Sequence, residues 1–102
     1  MRLDMQIEYK NKKIEKICTY TDEAEKRHGK EMAEKIELRV WQISSAETVE
    51  EMIQNHVGRC HQLKGNRQSQ YAVDLVHPYR LVFEKKGEQI QIACIMEIVD
   101  YH

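Results

Sequence analysis

An α+β fold, with helices packed on one face of a small antiparallel sheet, follows from three features of the sequence. Hydrophobic residues alternate at the start of the chain, recur at helical spacing in the segment that follows, and return to a period of two beyond Val57. A chain of 102 residues has room for one such domain, residues 1–102, with a single modest core.

The first strand is marked by Leu3, Met5, Ile7 and Tyr9, which alternate with Asp4, Gln6 and Glu8 and so line one buried face. Asn11 is a suitable N-cap for a first helix, since Ile14, Ile17 and Cys18 fall on one helical face behind it. A second helix is expected from Asp22, with Glu25 in capping-box position and an apolar stripe of Met32, Ile36, Val40 and Ile43 beside Leu38 and Trp41. Gly29 interrupts its early part. Ser44, followed three residues later by Glu47, predicts a third cap and a short helix through Met52 and Ile53.

Strands are expected at residues 59–63, 71–75, 79–84 and 89–99. Their connections carry turn chemistry: a loop around Gly65 and Asn66, a turn at Pro78 and a hairpin at Gly87. One strand, a helical hairpin and then a meander place the helices on one side of the sheet and leave the other side open.

Composition describes a globular protein, with 41% hydrophobic and 32% charged residues. No apolar run approaches a bilayer span and the first ten residues have no signal-peptide character, so a cytoplasmic protein with no membrane partner is expected. Cys18, Cys60 and Cys94 form no C-x-x-C pair and read as reduced thiols. Net charge is −1, yet residues 58–86 hold six basic side chains (Arg59, Lys64, Arg67, Arg80, Lys85, Lys86) against Asp74 and Glu84. This local excess of positive charge suits an anionic partner, although charge fluctuates along any sequence.

Chemistry is sought on the open face. His61 shares a strand face with Arg59 and Leu63 in the expected register; a strand histidine is either a packed residue or a proton-transfer group. Arg80 shares its face with Val82 and therefore needs an anion, a phosphate or a carboxylate such as Asp74 or Asp100. His56, Cys60 and His61 lack metal-ligand spacing, Cys60 fits a small core residue, and the four glycines are too scattered for a phosphate loop, so neither metal nor cofactor is expected. Asp100, Tyr101 and His102 add a carboxylate, a phenol and an imidazole.

The pieces His61-x-Leu63-Lys64-Gly65-x-Arg67, the aromatic Tyr71, Tyr79-Arg80-Leu81 and Asp100-Tyr101-His102, taken in order, resemble the HigB branch of the RelE/ParE superfamily of bacterial toxins. The resemblance implies the toxin of a type II toxin-antitoxin pair, a ribosome-dependent messenger-RNA endonuclease with a RelE-like fold and no cofactor. It implies catalytic roles for His61, Arg80, Asp100, Tyr101 and His102, and RNA contacts for Lys64 and Arg67. It further implies two partners: the ribosome with its message, and a helix-turn-helix antitoxin of the HigA kind. Ile14, Ile17 and Trp41 read as core rather than antitoxin contacts. The sequence departs from the family pattern at Ser69, where glycine is common, and in its overall acidity. The alternative on the same fold is a ParE-like inhibitor of DNA gyrase, which needs no catalytic histidine.

Overall fold

Two of the four described α-helices start at a polar side chain that satisfies an exposed backbone donor. The computed structural model describes residues 4–67 and 69–100, so the expectations that fall on Leu3, Tyr101 and His102 lie outside the described residues. After strand β1 (Gln6–Tyr9), Asn11 accepts a 3.0 Å hydrogen bond from the Ile14 amide and opens helix α1 (Lys12–Thr19). Helix α2 (Thr21–His28) starts one residue earlier than expected, after Tyr20 and without a side-chain cap. Gly29, at φ 88°, separates it from helix α3 (Lys30–Ser45), a backbone angle that favours glycine. Thr21 Oγ1 reaches Glu37 Oε2 across this break at 3.4 Å, so α2 folds back along the first half of α3. The single helix expected from Asp22 is thus two, α2 and α3, folded back on each other at Gly29.

The next cap is Thr48, not Ser44. Thr48 Oγ1 accepts from the Glu51 amide and opens helix α4 (Val49–Gln54), whereas Ser44 Oγ donates to the Trp41 carbonyl within α3. Both residues satisfy the sequence rule, and α3 runs on through Ser45 because its apolar stripe continues to Ile43.

Four further strands follow: β2 (His61–Gln62), β3 (Gln70–Asp74), β4 (Tyr79–Lys86) and β5 (Ile92–Asp100). The sheet order is β1-β5-β4-β3-β2. Neighbours from β2 to β5 are antiparallel as expected, but β1 pairs parallel with β5, so the sheet is mixed. β1 and β5 share no hairpin, and the intervening helices form a crossover long enough for parallel pairing. Residues 89–91 belong to the β4–β5 connection rather than to the strand.

The core lies between the helices and one sheet face, where Ile36, Ile43, Val49 and Met52 pack against Val73, Leu81, Phe83 and Ile95, all at most 1% exposed. Tyr71 and Phe83 stack there with ring centroids 5.9 Å apart. Ile14 and Ile17 join this core, but Trp41 does not. Its side chain is 65% exposed beside Leu38, on the outward side of α3, and forms a shallow groove with Glu34 and Glu37.

Candidate active site

Strand pairing assembles the open face in rows. His61, Ala72, Val82 and Glu97 are successive partners across β2, β3, β4 and β5, and Asp74, Arg80 and Val99 form the adjacent row. Partners across a ladder share a face. His61 and Arg80 therefore stand on the same side, away from the helices.

This face is open to solvent but not bare. Ala72 and Val82 are fully buried although they point away from the helical core. Long polar side chains lie across this side of the sheet. Arg67, in a 3-10 turn (Gly65–Arg67), donates from Nε to Gln70 Oε1 at 2.8 Å and from Nη2 to Glu97 Oε2 at 3.0 Å. Its aliphatic stem can shield apolar atoms while the guanidinium stays wet. Lys64 lies exposed in the preceding loop.

The backbone leading into His61 is strained. Residues 59–63 were expected to form a strand, but Val57–Arg59 is a 3-10 turn and only His61 and Gln62 pair. His56 (φ 57°), Gly58 (φ 55°) and Arg59 (φ 54°) are all left-handed, at a cost of about 1–2 kcal/mol for each non-glycine residue. The outcome is chemical: the Arg59 carbonyl lies 3.0 Å from His61 Nδ1. A carbonyl only accepts, so Nδ1 carries the proton. The neutral imidazole then presents Nε2 as a base, and the protonated ring presents it as an acid.

Arg80 Nε lies 3.4 Å from Asp74 Oδ1, and Arg59 Nε lies 3.4 Å from Asp74 Oδ2, so one carboxylate bridges two guanidiniums. Asp74, one of the two carboxylates expected near Arg80, is thus an ion-pair partner of it. The Asp74–Arg80 pairing could have been read from the turn centred on His77, which places residues 74 and 80 opposite each other. A cleft of about 120 Å³ opens beside this cluster and is also lined by His77 and Tyr79.

Asp100 is placed differently. Val82 pairs with Glu97 but Phe83 pairs with Ile95, leaving Met96 as an extra residue in β5. Such a bulge exchanges the faces of the residues beyond it. Arg80 consequently faces Val99, while Asp100 pairs with Tyr79 on the helix side. By register, His61 on β2 and Arg80 on β4 share the open face in adjacent rows, and Asp100 falls in a helix-side row. Tyr101 and His102 lie outside the described residues.

Cys60, beside His61, is buried, and burial pushes its thiol up to about 12, so it is protonated at neutral pH. Among the described residues, no three His, Cys, Asp or Glu side chains are grouped to hold a metal ion. Nor is any described helix long and apolar enough to cross a membrane.

Comparison with known proteins turns on this architecture. No protein-family profile matches the sequence, and no curated protein matches it. A solved structure does: the YoeB/ParE toxin from Agrobacterium tumefaciens, with a TM-score of 0.58 and 16% identity, covering 96% of this chain and 100% of that one. The chain is similar to a toxin in fold. At this identity the likeness concerns architecture, helices packed on a five-stranded mixed sheet, and it spans nearly every described element.

Proposed function

We propose that this chain is the toxin of a type II toxin-antitoxin pair and acts as a ribosome-dependent endoribonuclease on messenger RNA. The observation that carries this reading is His61 and Arg80 on one solvent-facing sheet surface, with the imidazole's Nε2 directed away from its backbone anchor. The likeness to the Agrobacterium toxin supports the toxin assignment. That protein's name joins two branches, and the imidazole on the open face favours the nuclease one.

The chemistry needs three things. A base removes the proton from a ribose 2′-hydroxyl, the oxygen forms a bond to the adjacent phosphorus, and the bond from phosphorus to the 5′-oxygen breaks. The products are a 2′,3′-cyclic phosphate and a 5′-hydroxyl, the latter receiving a proton. His61 Nε2 serves one of the two proton transfers, and His102 the other. Arg80 neutralises the charge on the non-bridging oxygens, with Lys64 and Arg67 along the RNA backbone and Tyr101 against a base. No metal or cofactor enters the proposed reaction. The partners are the ribosome, which presents the message in its decoding site, and a helix-turn-helix antitoxin of the HigA kind, all in the cytoplasm.

The test is to incubate the protein with purified ribosomes and a translated message, and separately with gyrase and supercoiled DNA. Cuts within the message that need both ribosome and protein are the expected result. Inhibited supercoiling with intact message would replace the nuclease reading with the ParE-like one.

A further inference from the structure

We propose that the Arg59–Asp74–Arg80 cluster is an anion seat occupied in the free protein by its own carboxylate, and that an RNA backbone phosphate displaces Asp74 from it. This rests on the nuclease reading and adds Arg59, which neither the sequence pattern nor the fold likeness assigns, to the RNA-binding residues.

The geometry is that of a weak internal occupant. Each Asp74 oxygen lies 3.4 Å from the Nε of one guanidinium, longer than the ~2.7–2.9 Å of a well-formed charge-assisted bond. The Arg59 side chain is 82% exposed, and pairs as open as this contribute little to stability. A phosphodiester offers the same pattern, one negative charge spread over two non-bridging oxygens for two guanidiniums. The adjoining cleft, with His77 and Tyr79 in its wall, gives the ligand a way in.

Moving the carboxylate aside need not disturb the strand. Asp74 is fixed through its backbone: its residue pairs with Arg80 in the ladder, and its carbonyl accepts from Arg39 Nε at 2.7 Å. Both anchors survive a change at the side chain. Arg59 meanwhile occupies a left-handed backbone position that brings its guanidinium to the seat and its carbonyl to His61. The seat lies in the row next to His61, so a phosphate held there belongs to the strand on which the imidazole would act.

The experiment measures binding rather than cleavage. A fluorescent single-stranded RNA with 2′-O-methyl groups, which cannot be cut by this route, is titrated by anisotropy without ribosomes against the native protein, Asp74→Asn, Arg59→Ala and the double variant. Asp74→Asn is expected to bind about three- to tenfold more tightly, because the competing charge is gone. Arg59→Ala is expected to bind several-fold more weakly and to abolish most of the gain in the double variant. Circular dichroism and thermal melting verify that each variant is folded. A folded Asp74→Asn protein that binds no better than native overturns the seat, as does a gain that persists in full without Arg59. Inorganic phosphate is a second probe; stronger competition against RNA on Asp74→Asn than on the native protein is expected, and equal competition counts against the seat. Tighter RNA binding by Asp74→Asn, in a protein that leaves ribosomal message intact, would refute the nuclease and keep the seat; cleavage without that gain would do the reverse.

Discussion

Arg39 Nε in α3 donates to the backbone carbonyl of Asp74 at 2.7 Å, so the helical layer holds the end of the strand that organises the open face. Arg39 Nη1 also donates to Gln42 Oε1 at 2.8 Å, which fixes the guanidinium from its own helix. The side chain passes Gly58, where an added Cβ would lie 2.8 Å from Arg39 Nε.

Gly58 is therefore required twice, for its positive φ and for the passage of Arg39. Gly58→Ala should lose about 2–3 kcal/mol, of which roughly 1–2 come from the left-handed backbone and the remainder from displacing Arg39. Urea denaturation measures it. An unchanged midpoint would mean that Arg39 does not depend on this glycine.

His28 gives stability a pH dependence. Its pKa lies below the usual histidine value, first through burial and then through Arg27 and Lys13 nearby. Below pH 6.5 the unfolded chain binds a proton that the folded imidazole resists, so the associated stability is full above that pH and is lost as pH falls through the lower folded value. Urea midpoints compared between pH 7.5 and 5.5 should fall more steeply for the native protein than for His28→Gln. Parallel slopes for the two proteins would remove His28 as the cause.

Much of this architecture is legible in the sequence because burial imposes a period. The alternation in 71–75 and 79–84 gives β3 and β4 within a residue or two, and the stripe Met32-Ile36-Ile43 gives the helix that covers them but not its separation from α2 at Gly29. What escapes is set by non-periodic causes. The parallel pairing of β1 depends on which edge of β5 is left free, and the left-handed run at His56, Gly58 and Arg59 depends on tertiary contacts to Arg39 and Asp74. The Met96 bulge is silent in "IACIMEIVD", yet it decides the face on which Asp100 falls. Trp41 directly follows Val40, but the helical turn carries it to the outward side of α3 with Leu38, away from the stripe that the sheet covers.

On the proposed function, His61→Ala should reduce ribosome-dependent cleavage by about 10²–10⁴, the usual contribution of a positioned general acid or base. Arg80→Lys keeps the charge and loses the planar fork, and a loss of roughly tenfold to a hundredfold is expected. Single-turnover cleavage of a translated message separates these chemical effects from product release. Cleavage at the native rate by His61→Ala would leave the open face without its proton-transfer group.

Arg59→Gly should separate stability from binding. Glycine relieves the left-handed strain, worth about 1–2 kcal/mol, while restoring backbone freedom to the unfolded chain costs up to about 1. The lost ion pair with Asp74 is exposed on the arginine side and subtracts little. The net expectation is a urea midpoint equal to or slightly above the native one, with several-fold weaker binding of the 2′-O-methyl RNA. Strain kept at a site where it lowers stability points to a use for the residue that bears it. A folded Arg59→Gly protein that binds this RNA as tightly as native would leave the left-handed arginine without that use, and a fall in stability greater than about 1 kcal/mol would give it a structural one instead.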